Sequence, residues 1–94
     1  MSRIPTHPGA VLREDIFPAL NMPKTKIARA LGISRSMLYA ILAESVPITP
    51  NLALRLGKFL GNGPELWMDM QVAHDLAVTA RAMKRELDDV RKVA

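Results

Sequence analysis

Apolar residues recur along this 94-residue chain at helical rather than alternating spacing, in blocks punctuated by proline and glycine. From Gly9 onward Val11, Leu12, Ile16 and Phe17 share a face until Pro18, which predicts a first helix interrupted at that proline. Pro23 opens a second helix with Ile27, Ala28 and Leu31 as its stripe, and Gly32 supplies the left-handed residue that ends helices cheaply. Only Ile33 separates that glycine from Ser34, whose hydroxyl suits the N-cap of a third helix running to about Ala43 over an apolar back of Leu38, Ile41 and Leu42. "ESVPIT" reads as a loop. Thr49 then caps and Pro50 starts a fourth helix burying Leu52, Ala53, Leu56 and Leu60, until Gly61 and Gly63 break it. Pro64 opens a fifth and longest helix, 64–92, which nothing in the sequence stops. The pattern predicts an all-α bundle of five helices forming a single domain over 1–94, with its core at about 11–60.

The second and third helices stand out. A helix, a short glycine turn and a second helix crossing steeply form a helix-turn-helix, which demands a small residue at the crossing, a glycine in the turn and apolar residues at fixed offsets. Ala28, Gly32, Ile33, Leu38 and Ile41 meet those demands within residues 24–43. An ordinary helical hairpin would explain the apolar positions equally well but leaves the opposite face, residues 35, 36, 39, 40 and 43, without a purpose. Arg35 and Ser36 stand at the N-terminal turn, where a recognition helix meets base edges. The guanidinium fork of Arg35 matches the O6 and N7 acceptors of guanine. Ser36 suits a base or a phosphate. Tyr39 can lay its ring on thymine methyls, reach a phosphate or simply pack, and Ala40 leaves room for a methyl group. Lys24 and Lys26, at the positive end of the second helix, together with Ser34, are the candidate phosphate contacts, which position rather than specify.

Charge sharpens this picture. The net charge is +4, and residues 1–43, with Arg3, Arg13, Lys24, Lys26, Arg29 and Arg35, carry all of it, since 44–62 contribute +1 and 63–94 contribute −1. A basic end favours a polyanionic partner. Composition removes other classes. With no cysteine there are no disulfides, thiolate metal sites or thiol nucleophiles. No apolar run approaches the ~20 residues of a membrane helix and no signal peptide opens the chain, so a cytoplasmic protein without membrane contact is expected. His7, His74 and scattered carboxylates form no cluster at metal or catalytic spacing, so neither an enzyme nor a cofactor is expected. Few aromatics argue against RNA stacking.

The stretch "KIARALGISRSMLYAIL" resembles the Cro/C1-type helix-turn-helix of phage repressors. With "HPGAVLRED", "ITPNLALRLGKFLG" and "GPELWMDMQVAHDL" in the same order, residues 7 to about 77 are similar to the HigA antitoxin family, related to virulence-associated protein I. The loop reads "AESVP" where many relatives carry Asn-Gly and basic residues, and Thr25 stands where many such proteins have glutamine. The resemblance implies neutralisation of a co-encoded ribonuclease toxin of the HigB kind and repression of the protein's own operon as a dimer on double-stranded DNA with an inverted-repeat operator. A repressor without a toxin is the alternative.

Residues for the dimer or partner come from the fifth helix. Leu66, Ala73, Ala80 and Leu87 recur every seven residues, as do Leu76, Met83 and Val90, which makes an a/d seam with Asp69 as its one polar intruder. Its first turns, with Trp67 and Met70, are expected to close the core. Its last turns carry the i, i+4 pairs Lys84–Asp88, Arg85–Asp89 and Asp88–Lys92. Exposed parts of the first helix, including Arg13 and Glu14, and the tail beyond Ala80 are the candidate toxin-binding surfaces.

Overall fold

The computed structural model describes residues 4–93, which form six helices and no strand; Arg3, counted above in the basic half, and both ends of the expected domain lie outside them. The first helix, α1, spans residues 8–20. His7 caps it, its ring Nδ1 accepting the Gly9 N–H at 2.9 Å, and Pro8 fills the first position, where a missing N–H is harmless. The interruption expected at Pro18 does not occur. Between Leu12 and Ile16 the helix widens, so that the Phe17 N–H bonds to the Leu12 carbonyl five residues back. A proline in a regular α-helix collides with the carbonyl four residues earlier. One wide π turn re-aims the carbonyls ahead of Pro18, and the helix continues to Leu20. Asn21 ends it in the left-handed region at φ 53°.

Helices α2 (Lys24–Leu31) and α3 (Arg35–Leu42) flank the predicted turn. Gly32 is left-handed at φ 72°, the Ile33 N–H returns to the Ala28 carbonyl at 3.0 Å and the Gly32 N–H to Arg29 at 3.1 Å. These are the paired bonds of a Schellman end. α3 ends the same way without glycine: Ser45 N–H to Ala40 and Glu44 N–H to Ile41, both at 3.0 Å, with Glu44 itself at φ 60°.

Thr49 caps α4 (Pro50–Leu60) through its hydroxyl, and α5 (Pro64–Ala82) packs back along it. At the corner a Cβ on Gly57 would run into the backbone of Gly63 and Pro64, which fixes how closely these helices meet. The core gathers Leu12, Phe17, Ile27, Leu31, Leu38, Ile41, Leu42, Ile48, Leu56 and Trp67 from α1 to α5 and the loop before α4. Val11, Ile16 and Leu60, expected inside, are only half-buried at its margin. Trp67 is fully buried and Met70 partly so, as the closing role of the first turns of α5 requires.

The C-terminal helix departs from expectation. It breaks at Met83 (φ −102°, ψ 18°), resumes as α6 (Lys84–Asp89) and gives way to extended chain at Val90, so the single helix 64–92 is not formed. Every described residue from Val78 onward is exposed, and a helix without a packed face keeps little of its stability. Nor do the expected tail pairs close: among the described residues the ion pairs are Arg13–Glu14 and Arg13–Glu44, and Lys92 lies beyond the last helical turn. The extents of 52 × 23 × 21 Å reflect the projecting end of this helix. No helix among the described residues is long and apolar enough to cross a membrane.

Candidate nucleic-acid interface

Ser34 sets the start of α3. Its extended backbone turns the chain out of the glycine bend, and its Oγ accepts the Met37 N–H at 3.0 Å. The hydroxyl hydrogen stays free to donate outward, as a phosphate contact requires. Leu38, Ile41 and Leu42 anchor the helix in the core, and Arg35, Ser36 and Tyr39 are thereby presented to solvent, Tyr39 with 53% of its surface exposed. Ala40 is half-buried beside them. All four candidate base-reading residues therefore lie on the free side of one short helix whose other side cannot rotate.

Lys24 and Lys26 are exposed on the first turn of α2. Pro23 occupies the N-cap there and offers no side-chain acceptor, so the amides of Lys24 and Thr25 are left uncapped at the positive end of the helix dipole. Cations, open amides and the Ser34 hydroxyl together make a surface suited to a phosphate backbone.

Several residues that hold this surface in place were not singled out by sequence reasoning. Arg55, seen there only as a charge, donates from Nη1 to the Leu31 and Gly32 carbonyls at 2.9 and 3.2 Å and from Nε to Asn51 at 2.7 Å, stapling the turn to α4. Arg13, expected on an exposed surface, is exposed and also donates to the Leu42 carbonyl at 2.6 Å and bridges Glu44 at 3.1 Å and Glu14 at 2.9 Å. Those carboxylates raise its pKa further, Glu44 foremost. Buried Gln71 accepts the Ile48 N–H at 2.7 Å and donates to Asp75 at 2.9 Å, which ties the loop after α3 to α5. The Trp67 indole donates to Asn62 at 3.1 Å.

Both histidines belong to this support. The ring of His7 meets that of His74 edge-on at 5.0 Å between centroids, and His74 Nδ1 lies 2.8 Å from the Pro5 carbonyl. Burial, then the neighbouring His74, lowers the pKa of His7 from its ordinary 6.5, with Glu44, Asp75 and a hydrogen bond at Val46 opposing.

Of the candidate dimer residues, Leu66, Leu76, Met83 and Leu87 are exposed at 45%, 66%, 37% and 45%. Ala73 and Ala80 are exposed between them. The break at Met83 separates Leu87 from the rest of the seam.

No protein-family model matches the chain. Residue by residue it is 37% identical over 70 residues to virulence-associated protein I of Dichelobacter nodosus, covering 74% of this chain and 65% of that one. The chain thus spans just under two thirds of that relative's length. Among solved structures, an addiction module antidote protein of a HigA family from Coxiella burnetii superposes with a TM-score of 0.87 at 32% identity, covering 96% of this chain and 99% of that one. The Pseudomonas aeruginosa antitoxin HigA with the higBA promoter superposes with a TM-score of 0.89 at 26% identity, again over 96% and 99%.

Proposed function

The chain belongs to the HigA family of helix-turn-helix antitoxins, and from that premise we propose that it is an antitoxin which represses its own operon by binding operator DNA and neutralises a co-encoded toxin of the HigB kind in the cytoplasm. The observation that carries the DNA half is the fixed exposure of Arg35, Ser36 and Tyr39 on a capped helix anchored by Leu38, Ile41 and Leu42. In the proposed complex α3 enters the major groove, Arg35 pairs with guanine, Ser36 and Ala40 lie on neighbouring base edges, and Tyr39 meets a thymine methyl or the backbone. Lys24, Lys26, Ser34 and the open amides of α2 grip phosphates.

One helix of eight residues reads few base pairs, so useful specificity calls for two copies. The homodimer is proposed to form along Leu66, Ala73, Leu76 and Ala80 of α5, Met83 at its end and Leu87 of α6, because this apolar seam has no cover among the described residues. Half-sites about one helical turn apart, ~34 Å or a multiple, follow. The candidate toxin surfaces are the exposed part of α1 that includes Arg13 and Glu14, and the tail beyond Ala80.

Two measurements test the reading. The purified protein should shift duplex from immediately upstream of its own gene, with affinity falling steeply as salt rises. Co-expression with the neighbouring small reading frame should yield a stable complex. Operator binding without any such complex would leave a repressor with no toxin, and a toxin complex without an operator shift would remove the repressor.

A further inference from the structure

The loop after α3 carries no cation between Ala43 and Thr49, and past Glu44 and Ser45 it turns apolar, with Val46 half-buried and Pro47 exposed. Beside the first turn of α3 lies a groove of about 390 Å³ walled by Ile33, Met37, Val46, Pro47 and Leu52, with Thr49, Asn51 and Arg55 at its polar rim. Met37 is 38% exposed there, two residues from Arg35, on the flank of the recognition helix that neither the core nor the proposed base contacts use. Met37 brings this groove to the flank of the recognition helix, and the position of the groove is fixed: Arg55 at its rim staples the turn to α4, and Gln71 pins Ile48, which sits in the chain between the lining residues Pro47 and Thr49.

An apolar wall set against a polyanion is unfavourable unless the DNA offers apolar surface at that point. In the major groove that surface is the 5-methyl group of thymine, which the other bases lack. Methionine is unbranched and polarizable and can fold over such a group. Resting on the DNA-binding reading above, we infer that the Met37 side chain, backed by Ile33, Val46 and Pro47, packs on a thymine methyl at the edge of each half-site and so selects an A·T pair there. Arg35 and Met37 then divide the work: the guanidinium reads hydrogen-bond acceptors on one flank of the helix and the thioether reads a methyl on the other.

The test uses the full chain. Duplexes that it binds are selected from a random pool, and each conserved thymine of the selected half-site is replaced in turn by deoxyuridine, which removes only the methyl. At one position the replacement is expected to weaken binding about fourfold, the effect of one buried methyl-sized group. Met37→Ala should bind the thymine and deoxyuridine duplexes alike at that position while keeping its response elsewhere, and Met37→Leu should retain the difference. Because Met37 is partly exposed, these variants are expected to fold; circular dichroism checks it. A selected site whose thymines all tolerate uracil, or a Met37→Ala protein that discriminates as well as the original, overturns the inference while leaving the DNA-binding reading intact. If no sequence is enriched, that reading and the inference fail together.

Discussion

Arg35 and Lys24 are both exposed cations on a first helical turn, yet the fork of one and the point charge of the other, set at different places in the fold, should make them behave differently. Arg35→Ala should cost about 1–3 kcal/mol on the cognate site and relax the preference at one base pair. Lys24→Ala should weaken all sequences alike and reduce the slope of log affinity against log salt by about one. Titrations on cognate and scrambled duplexes at several salt concentrations check both, and identical behaviour would make Arg35 a mere phosphate contact. Glu44 offers a prediction on stability. It holds φ 60°, a conformation costing a non-glycine residue roughly 1–2 kcal/mol, while its carboxylate bridges Arg13. Glu44→Ala keeps the strain and loses the bridge, whereas Glu44→Gly loses the bridge but relieves the strain. The glycine variant should therefore be the more stable of the two by about 1 kcal/mol in urea melts. Ser34, Gly32 and Thr49 were legible in the sequence because capping chemistry is local. Glu44, Arg55 and Gln71 were not, since nothing beside Glu44 announces a left-handed turn and the partners of Arg55 and Gln71 lie 24 and 23 residues away.

Whole elements were read well where periodicity and local end signals coincide, and poorly where a wide turn carries a helix past proline or where no packed face holds it. The helix-turn-helix and α4 fall where stripe, cap and glycine agree. α1 runs past Pro18 because a π turn absorbs it, and hydrophobic spacing does not encode that adjustment. At the other end the heptad seam predicted an unbroken helix, but a seam imposes its period only when a partner sits against it. Alone, the chain breaks at Met83, a position that no glycine or proline marks. Deleting residues 81–94 should thus leave the core untouched: none of the described residues 81–93 is buried, and the Trp67 fluorescence melt should move by less than about 4 °C, the shift that corresponds to roughly 1 kcal/mol in a domain this small. Light scattering should show weaker dimerisation, because Met83 and Leu87 go with the tail. A large fall in melting temperature would mean the tail supports the core, contrary to its exposure. If toxin binding survives the deletion, the toxin contact lies elsewhere; if it is lost while operator binding persists, the contact lies in the tail.

On the scale of the molecule, the start of α1, the loop that follows the recognition helix and the middle of α5 meet at one point, His7. Its neighbours there are His74 and Asp75 from α5 and Glu44 from the end of α3. His7 can cap α1 only with Nδ1 unprotonated, since that atom accepts the Gly9 N–H. Protonation removes the acceptor, places a charge in a buried site beside a second imidazole, and is only partly offset by Glu44 and Asp75; accordingly burial and His74 lower the native pKa below the ordinary 6.5. A group whose native pKa is depressed takes up a proton more readily in the unfolded chain, so stability increases with pH across the interval between the two values. The contribution is fully present above about pH 6.5 and is lost as pH falls from there through the lowered native value. Urea melts at pH 7.5 and pH 5.5 should show that loss in the wild-type chain. Asparagine can also cap a helix without titrating, so His7→Asn should remain folded and show a flatter profile over the same interval. An unchanged profile in His7→Asn would assign the acid sensitivity to another group. Because the capped end of α1 lies against Ile41 of the recognition helix, operator affinity of the wild type should decline over the same pH range while that of His7→Asn declines less.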